Sequence, residues 1–253
     1  MKAGIPLRVR RQVWLRQFFL QGCWNYEGMQ NVGFAYSILP ALRDRYEGRQ
    51  DDLFRAVKRH LEFFNTHPAM GAVILGAAIR LEESVAAGEA DPRAVGTFKV
   101  GLMGSLGAIG DSYFWGSLKP MASVAGAILA FVHPLLGVAA LLILYNISHL
   151  ALRFRGFTAG MGGEESAFRF LKEAGFTGRA ENGKMVAAIL GGAYAGVVGS
   201  QTAYLFGGAW QELGVFLVAA FAVHLFTVFF RKAVSPSEVL LLLLVIGMLI
   251  LWQ

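Results

Sequence analysis

Residues 101–120 read GLMGSLGAIGDSYFWGSLKP, and the fold class turns on this stretch. Gly101, Gly104, Gly107 and Gly110 recur at every third position in apolar company. One acid, Asp111, follows beside Tyr113, Phe114 and Trp115, and Lys119-Pro120 closes the segment. Glycine at this spacing permits close helix packing, or a helix that breaks. A carboxylate at membrane depth is costly and points to function. The alternative is a surface loop between two helices, with Asp111 capping the second. The surrounding chain favours a membrane-embedded, glycine-hinged segment. Pro120 opens residues 121–152, the longest run without Asp, Glu, Lys or Arg, and 185–211, 213–230 and 239–253 are further such runs. The first two exceed the roughly 20 residues that a spanning helix needs.

Composition agrees. The 253 residues are 55% hydrophobic and 16% charged, with a mean hydropathy of +0.50, whereas average soluble domains carry about 25% charged residues. The expectation is an all-α, polytopic integral membrane protein, with several transmembrane helices, re-entrant or broken helices and an amphipathic N-terminal helix. The net charge of +6 follows from the excess of basic residues in cytoplasmic loops. No nucleic-acid-binding fold accompanies it, so no nucleic-acid partner is expected. The single cysteine, Cys23, excludes an intrachain disulfide and argues against a cysteine-rich metal site. The basic N-terminus lacks an A-x-A-like exit and predicts no cleavable signal peptide.

Two domains of unequal size are expected. Residues 1–17, with Arg8, Arg10, Arg11 and Arg16 around Val9, Val13, Trp14 and Leu15, read as an amphipathic helix on the anionic cytoplasmic leaflet. Residues 18–253 form one membrane domain. Within it, 18–40 is apolar but studded with Gln21, Asn25, Glu27, Gln30 and Asn31, too polar for a lipid-facing span. Asn25, Glu27 and Gln30 suit hydroxyl recognition, and Trp24 and Tyr26 suit stacking on a sugar ring. A packing helix whose polar groups satisfy one another is the competing reading.

Residues 41–62 are basic, and Asp51 or Asp52 is placed to cap a helix whose apolar positions are Leu53, Phe54, Val57, Leu61 and Phe64. His60, Glu62, Asn65, Thr66 and His67 stand where this polar helix meets the apolar run 69–79. His60 and His67 share a face only if the helix persists to Pro68, and no third metal ligand is evident. Arg80, Glu82, Glu83, Glu89, Asp91, Arg93 and Lys99 read as a mixed-charge connector broken at Asp91-Pro92. The run 121–152 is either a broken span or two segments turning at His133-Pro134, with Asn146 and His149 on one protein-facing surface. Residues 153–184 read as a polar segment containing a short amphipathic helix over 164–175. No nucleotide loop, serine elbow or metalloprotease motif appears, so no catalytic residue, metal or cofactor is assigned to this chain.

Three blocks, LQGCWNYEGMQNVGFAYSILPAL (20–42), KRHLEFFNTHP (58–68) and KVGLMGSLGAIGDSYFWGSLKP (99–120), resemble in order the signature blocks of the enzyme IID component of mannose/fructose/sorbose phosphotransferase systems. The resemblance implies a multi-pass subunit of the bacterial inner membrane that pairs with enzyme IIC, in trimers of such pairs, to translocate a hexose. Phosphate would pass through cytoplasmic enzyme IIA and IIB carriers, with the phosphohistidine on enzyme IIB. Under this reading Asn25, Glu27, Gln30 and Asp111 line the translocation region or its enzyme IIC interface. His60, Glu62 and Asn65 stabilise the cytoplasmic mouth or dock a carrier. The alternative role is a non-transporting scaffold for regulatory phosphocarriers. The chain departs from the family pattern at Cys23, where serine is frequent, and at Gly28, where an arginine usually follows the acid.

Overall fold

The computed structural model describes residues 4–205. Within them every regular element is helical, and the pairings outside helices are two isolated bridges, Asn25–Met29 and Met29–Phe64. Met1–Gly191 form one compact unit and Gly192–Gln253 a second. The apolar runs 213–230 and 239–253 lie outside the described residues.

Helix α1 (Leu7–Arg16) runs through a 3-10 turn (Gln17–Phe19) toward α2 (Asn31–Arg45). Pro40 sits inside α2 and has no N–H for the Tyr36 carbonyl one turn earlier. The Arg16 guanidinium donates to that carbonyl at 3.3 Å. A defect in one helix thus becomes the anchor of its neighbour. A Cβ at Gly33 would collide with the Leu20 carbonyl, so the turn after α1 lies directly on α2.

Helix α3 (Gln50–His60) begins after Arg49, and no side chain caps it; Asp51 and Asp52 lie in its first turn, where carboxylates favour the positive end of the helix dipole. Neither aspartate is the cap expected from sequence. The helix also ends at His60, before Leu61 and Phe64. Phe54 faces outward, 71% exposed, and the inward face is built on Ala56 and His60.

Helix α4 (Gly71–Ala86) is the centre of the core, with Val73, Ile74, Ala77, Ala78 and Ile79 fully buried. It extends past the apolar run and takes in Arg80, Glu82 and Glu83. The first part of the connector expected there, through Ala86, is therefore the last two turns of a helix.

Asp91 caps α5 (Pro92–Gly110), accepting from the Arg93 N–H at 2.7 Å with Pro92 at the first helical position. The backbone then continues in right-handed helical geometry through a π-helical segment (Asp111–Leu118) into α6 (Lys119–Ala130). The stretch 101–120 is neither a loop nor a break, and Asp111 caps nothing. Pro120 cannot donate to the preceding turn, and the helix widens just before it, a known accommodation to a lost ladder bond.

The 121–152 run resolves into two helices at His133-Pro134. His133 caps α7 (Pro134–Met161), its Nδ1 accepting from the Leu135 N–H at 3.2 Å. Alanine at either Gly126 or Gly137 would collide with the other helix, so α6 and α7 cross at backbone contact. Among the described residues, α7 is the one helix long and apolar enough to cross a membrane, with 6% of its most apolar window buried in the protein. It carries Arg153 and Arg155, which sequence placed in a following polar segment. On α4 and α7, Gly76 and Gly160 face each other with no room for a Cβ. Helix α8 (Glu164–Ala174) is the expected short amphipathic helix, closed by Gly175 at φ +55°, a left-handed conformation favouring glycine. Helix α9 (Phe176–Leu205) takes the chain from there.

Candidate functional site

The three blocks singled out in the sequence meet. In the first, the Asn25 carboxamide accepts from the Gly28 N–H at 2.7 Å. Asn25 and Met29 exchange backbone hydrogen bonds, and Met29 is held at φ +56°, an unfavourable conformation for this side chain. The result is a tight turn that presents Trp24, Tyr26 and Glu27 outward.

This turn is fastened to the second block. Gln30, 2% exposed, donates from Nε2 to the Thr66 carbonyl at 2.7 Å and accepts from the Thr66 N–H at 3.1 Å. Its own N–H donates to the Phe64 carbonyl at 2.8 Å, and Asn31 Nδ2 donates to the Leu61 carbonyl at 2.7 Å. A side-chain amide here does what a strand partner does elsewhere, satisfying both backbone groups of one residue.

The second block in turn meets the third at His67. Its ring stacks on Phe114 of the π-helical segment, centroids 4.6 Å apart and planes 4° from parallel. A Cβ at Gly110 would collide with His67. His67 Nδ1 accepts from the Ala69 N–H at 3.2 Å, which leaves the proton on Nε2. Phe114 also meets His149 of α7 edge-on at 5.4 Å, and Tyr145 stacks on His149 at 5.8 Å. Asn146 instead is exposed and donates to the Leu142 carbonyl of its own helix, so it does not share His149's surroundings.

Beneath the junction lies an ionic cluster. Glu82 is 1% exposed and accepts from Arg59 Nε at 2.6 Å and Nη2 at 2.8 Å, from the Tyr46 hydroxyl at 2.6 Å, and meets His60 Nε2 at 2.9 Å. Burial by itself would raise the Glu82 carboxyl; the hydrogen bonds from Arg59, then His60, override it and hold the group down at about 2. Burial pushes His60 down to about 4, with the bond to Glu82 opposing only in part. His60 is therefore neutral at pH 7 and donates from Nε2 as a hydrogen-bond partner, not as an ion pair. Burial, and then the bond to Glu82, raise the Tyr46 hydroxyl well above its usual range. Lys99 donates to the Arg59 carbonyl at 3.1 Å and lies over the Phe34 and Phe64 rings at 4.9 and 5.7 Å. Burial lowers it to about 8, against the opposing fields of Glu62 and Glu82.

The residues singled out in the sequence therefore divide by environment. Asn25 and Gln30 build the turn and its clamp, and His60 is buried in the ionic cluster. Glu27, Asp111, Glu62 and Asn65 are exposed, and Glu27 and Asp111 make no ion pair or side-chain hydrogen bond among the described residues. Glu62 borders a small hollow with Phe63, Lys99 and Met103. Gly28 packs against Asn31, and a side chain there would need Asn31 to move. Sequence reading missed Glu82, Arg59, Tyr46 and Lys99 as one unit. A signal existed: Ile74, Ala78 and Glu82 fall at i, i+4 and i+8, which puts the acid on the buried stripe of α4.

The description "PTS system mannose/fructose/sorbose family IID component" matches residues 5–253. A mannose-specific EIID component of Escherichia coli K12 is 44% identical over 151 residues, 59% of this chain and 53% of that protein. A sorbose-specific EIID component of Lacticaseibacillus casei is 38% identical over 143 residues, 56% of this chain and 50% of that protein. The aligned region thus spans about half the length of the curated relatives. Over the whole chain, a solved membrane protein superposes with a TM-score of 0.74 at 30% identity, covering 97% of this chain and 96% of that one. The mannose transporter ManYZ in complex with microcin E492 superposes with a TM-score of 0.62 at 31% identity, covering 98% and 96%.

Proposed function

Because this chain belongs to the IID components of the mannose/fructose/sorbose phosphotransferase family, we propose that it is the membrane subunit that joins an enzyme IIC to translocate a hexose of that class. The hexose is phosphorylated on uptake by an enzyme IIB that receives phosphate from enzyme IIA. The observation that carries this reading is the family match across residues 5–253, supported by the convergence of the three blocks at His67. The protein sits in the bacterial inner membrane as a multi-pass subunit, with α7 supplying one span. It assembles as trimers of IIC–IID pairs. Phosphorylation makes the arriving sugar a charged ester that recrosses poorly, so chemistry on another chain drives accumulation through this one.

In this reading Glu27 and Asp111 face the translocation region or the enzyme IIC surface, as exposed acids at the edges of the convergent blocks. Asn25 and Gln30 act there through the turn they hold. Glu62 and Asn65 offer exposed polar groups to a cytoplasmic carrier, and His60 supports them from within. The test is labelled-hexose uptake by cells producing this chain with its enzyme IIC and IIB. Glu27→Gln and Asp111→Asn are expected to lower uptake at unchanged membrane levels. Normal uptake in both variants removes them from the pathway.

A further inference from the structure

Helix α7 leaves its apolar stretch near Leu152 and carries Arg153 and Arg155 one turn on. The same level is marked by α1. Arg10 donates to Thr158 Oγ1 at 3.3 Å and lies over Phe157, and Trp14 meets Phe154 edge-on at 6.4 Å. Arginine and tryptophan at one height on a span are the usual residues of the membrane–water boundary.

At that height, between α7, α8 and the start of α9, runs a groove of about 260 Å³. Ile147 and Ala151 of the apolar stretch line it with Tyr113 and Phe176, and so do Arg155, Arg179 and one acid, Glu173. All three charged residues are exposed, and neither arginine makes an ion pair or side-chain hydrogen bond among the described residues. Two other arginine and lysine side chains on α8 and α9 are paired, Arg169 with Glu165 at 2.7 Å and Lys184 with Glu181 at 2.8 Å.

We infer that this groove holds an acidic phospholipid, its phosphate between the Arg155 and Arg179 guanidiniums and its acyl chain along Ile147 and Ala151. Two planar forks suit a phosphate, and the two cations exceed the single carboxylate. Along α7 the lining passes from Ile147 and Ala151 to Arg155 one turn on, at the boundary marked by α1, a layout that fits a lipid and would not be required for a soluble anion. The inference rests on the membrane-subunit reading, yet uptake can persist where lipid retention fails, so the two fail separately.

The test uses the full chain purified with its enzyme IIC in nanodiscs of phosphatidylglycerol or of phosphatidylcholine, with retained lipid read by native mass spectrometry. Phosphatidylglycerol should be retained preferentially. Each basic side chain near an anionic surface is worth about 1 kcal/mol, so Arg155→Gln with Arg179→Gln should lower retention roughly thirtyfold. Arg43→Gln on α2, an exposed arginine away from the groove, should leave it unchanged, and unaltered melting temperatures report intact folding. Should the double variant misfold, Arg155→Lys, which keeps the charge and loses the fork, is expected to give a partial loss. Equal retention of the two lipids overturns the inference, as does retention unaffected by the arginine changes. Full displacement by inorganic phosphate would assign the groove to a soluble anion. Lipid held by the chain alone but absent when enzyme IIC is present would make it a subunit interface.

Discussion

Replacement of Glu82 by glutamine separates the ionic cluster from ordinary packing. Every group that faces this carboxylate donates: two guanidinium N–H groups of Arg59, the Tyr46 hydroxyl and His60 Nε2. A carboxylate accepts at both oxygens, whereas an amide turns an NH2 toward one of these donors. Glu82→Gln keeps the shape but leaves the Arg59 guanidinium, its side chain 14% exposed, without a counter-charge. Removing one member of a buried pair costs about 3–5 kcal/mol. For a chain of this size each kcal/mol moves the melting temperature by about 2–4 °C, so a fall of roughly 6–20 °C is expected. The assay is thermal unfolding of the purified protein followed by tryptophan fluorescence. A double-mutant cycle of Glu82→Leu with Arg59→Met should give a coupling of about 2 kcal/mol or more, because removing both charges leaves no orphaned ion. A melting shift of less than about 2 °C for Glu82→Gln, or additive effects in the cycle, would refute the assignment of this cluster as a core of stability.

Acid should destabilise the protein in two overlapping steps. His60 takes up its proton near 4 when folded, against 6.5 for the free side chain, so the unfolded chain binds more protons as pH falls from 6.5 to 4. Over that interval about 3 kcal/mol is lost. Glu82, held at about 2 against 4.5, adds stability above 4.5 that disappears as pH falls from there toward 2. Melting temperatures across this range check both, and His60→Gln should flatten the upper part of the profile. The glycine stretch gives a contrast within one helix. Gly110→Ala, which collides with His67, should cost about 1–3 kcal/mol, whereas Gly104→Ala, with nothing within 4 Å, should be neutral or stabilise by about 0.5–1 kcal/mol; parallel thermal melts decide.

Local chemistry made a good part of this fold legible in the residues alone. Asp91-Pro92 was legible as a break in a connector, and the break is a helix start, because proline suits the first helical position and aspartate accepts from the N–H groups left free there. His133-Pro134 divides an apolar run too long for one span. The apolar and charged positions of 164–174 alternate at helical spacing, and α8 follows. The ordered blocks at 20–42, 58–68 and 99–120 likewise carried the family, since block order survives without knowledge of any contact.

Long-range partners lay beyond those rules. Four glycines at every third position left close packing or a break open along residues 101–110, but three residues turn an α-helix through about 300°, so the set drifts around its axis. Gly101 and Gly104 face open space, Gly107 is in ordinary contact with Thr66, and Gly110 is closed by His67. Whether Gln30 met a sugar hydroxyl or a backbone depended on where residue 66 lies. Glu82 read as one charge in a polar connector until α4 carried it between Arg59, Tyr46 and His60. Local signals follow from neighbours within a few residues, so the turn at His133-Pro134 and the short helix after Gly163 were determined by the sequence directly. The partners of a buried polar group are set by segments tens of residues away, and only the packed tertiary structure decided which of these side chains are structural and which remain free for a ligand or a partner.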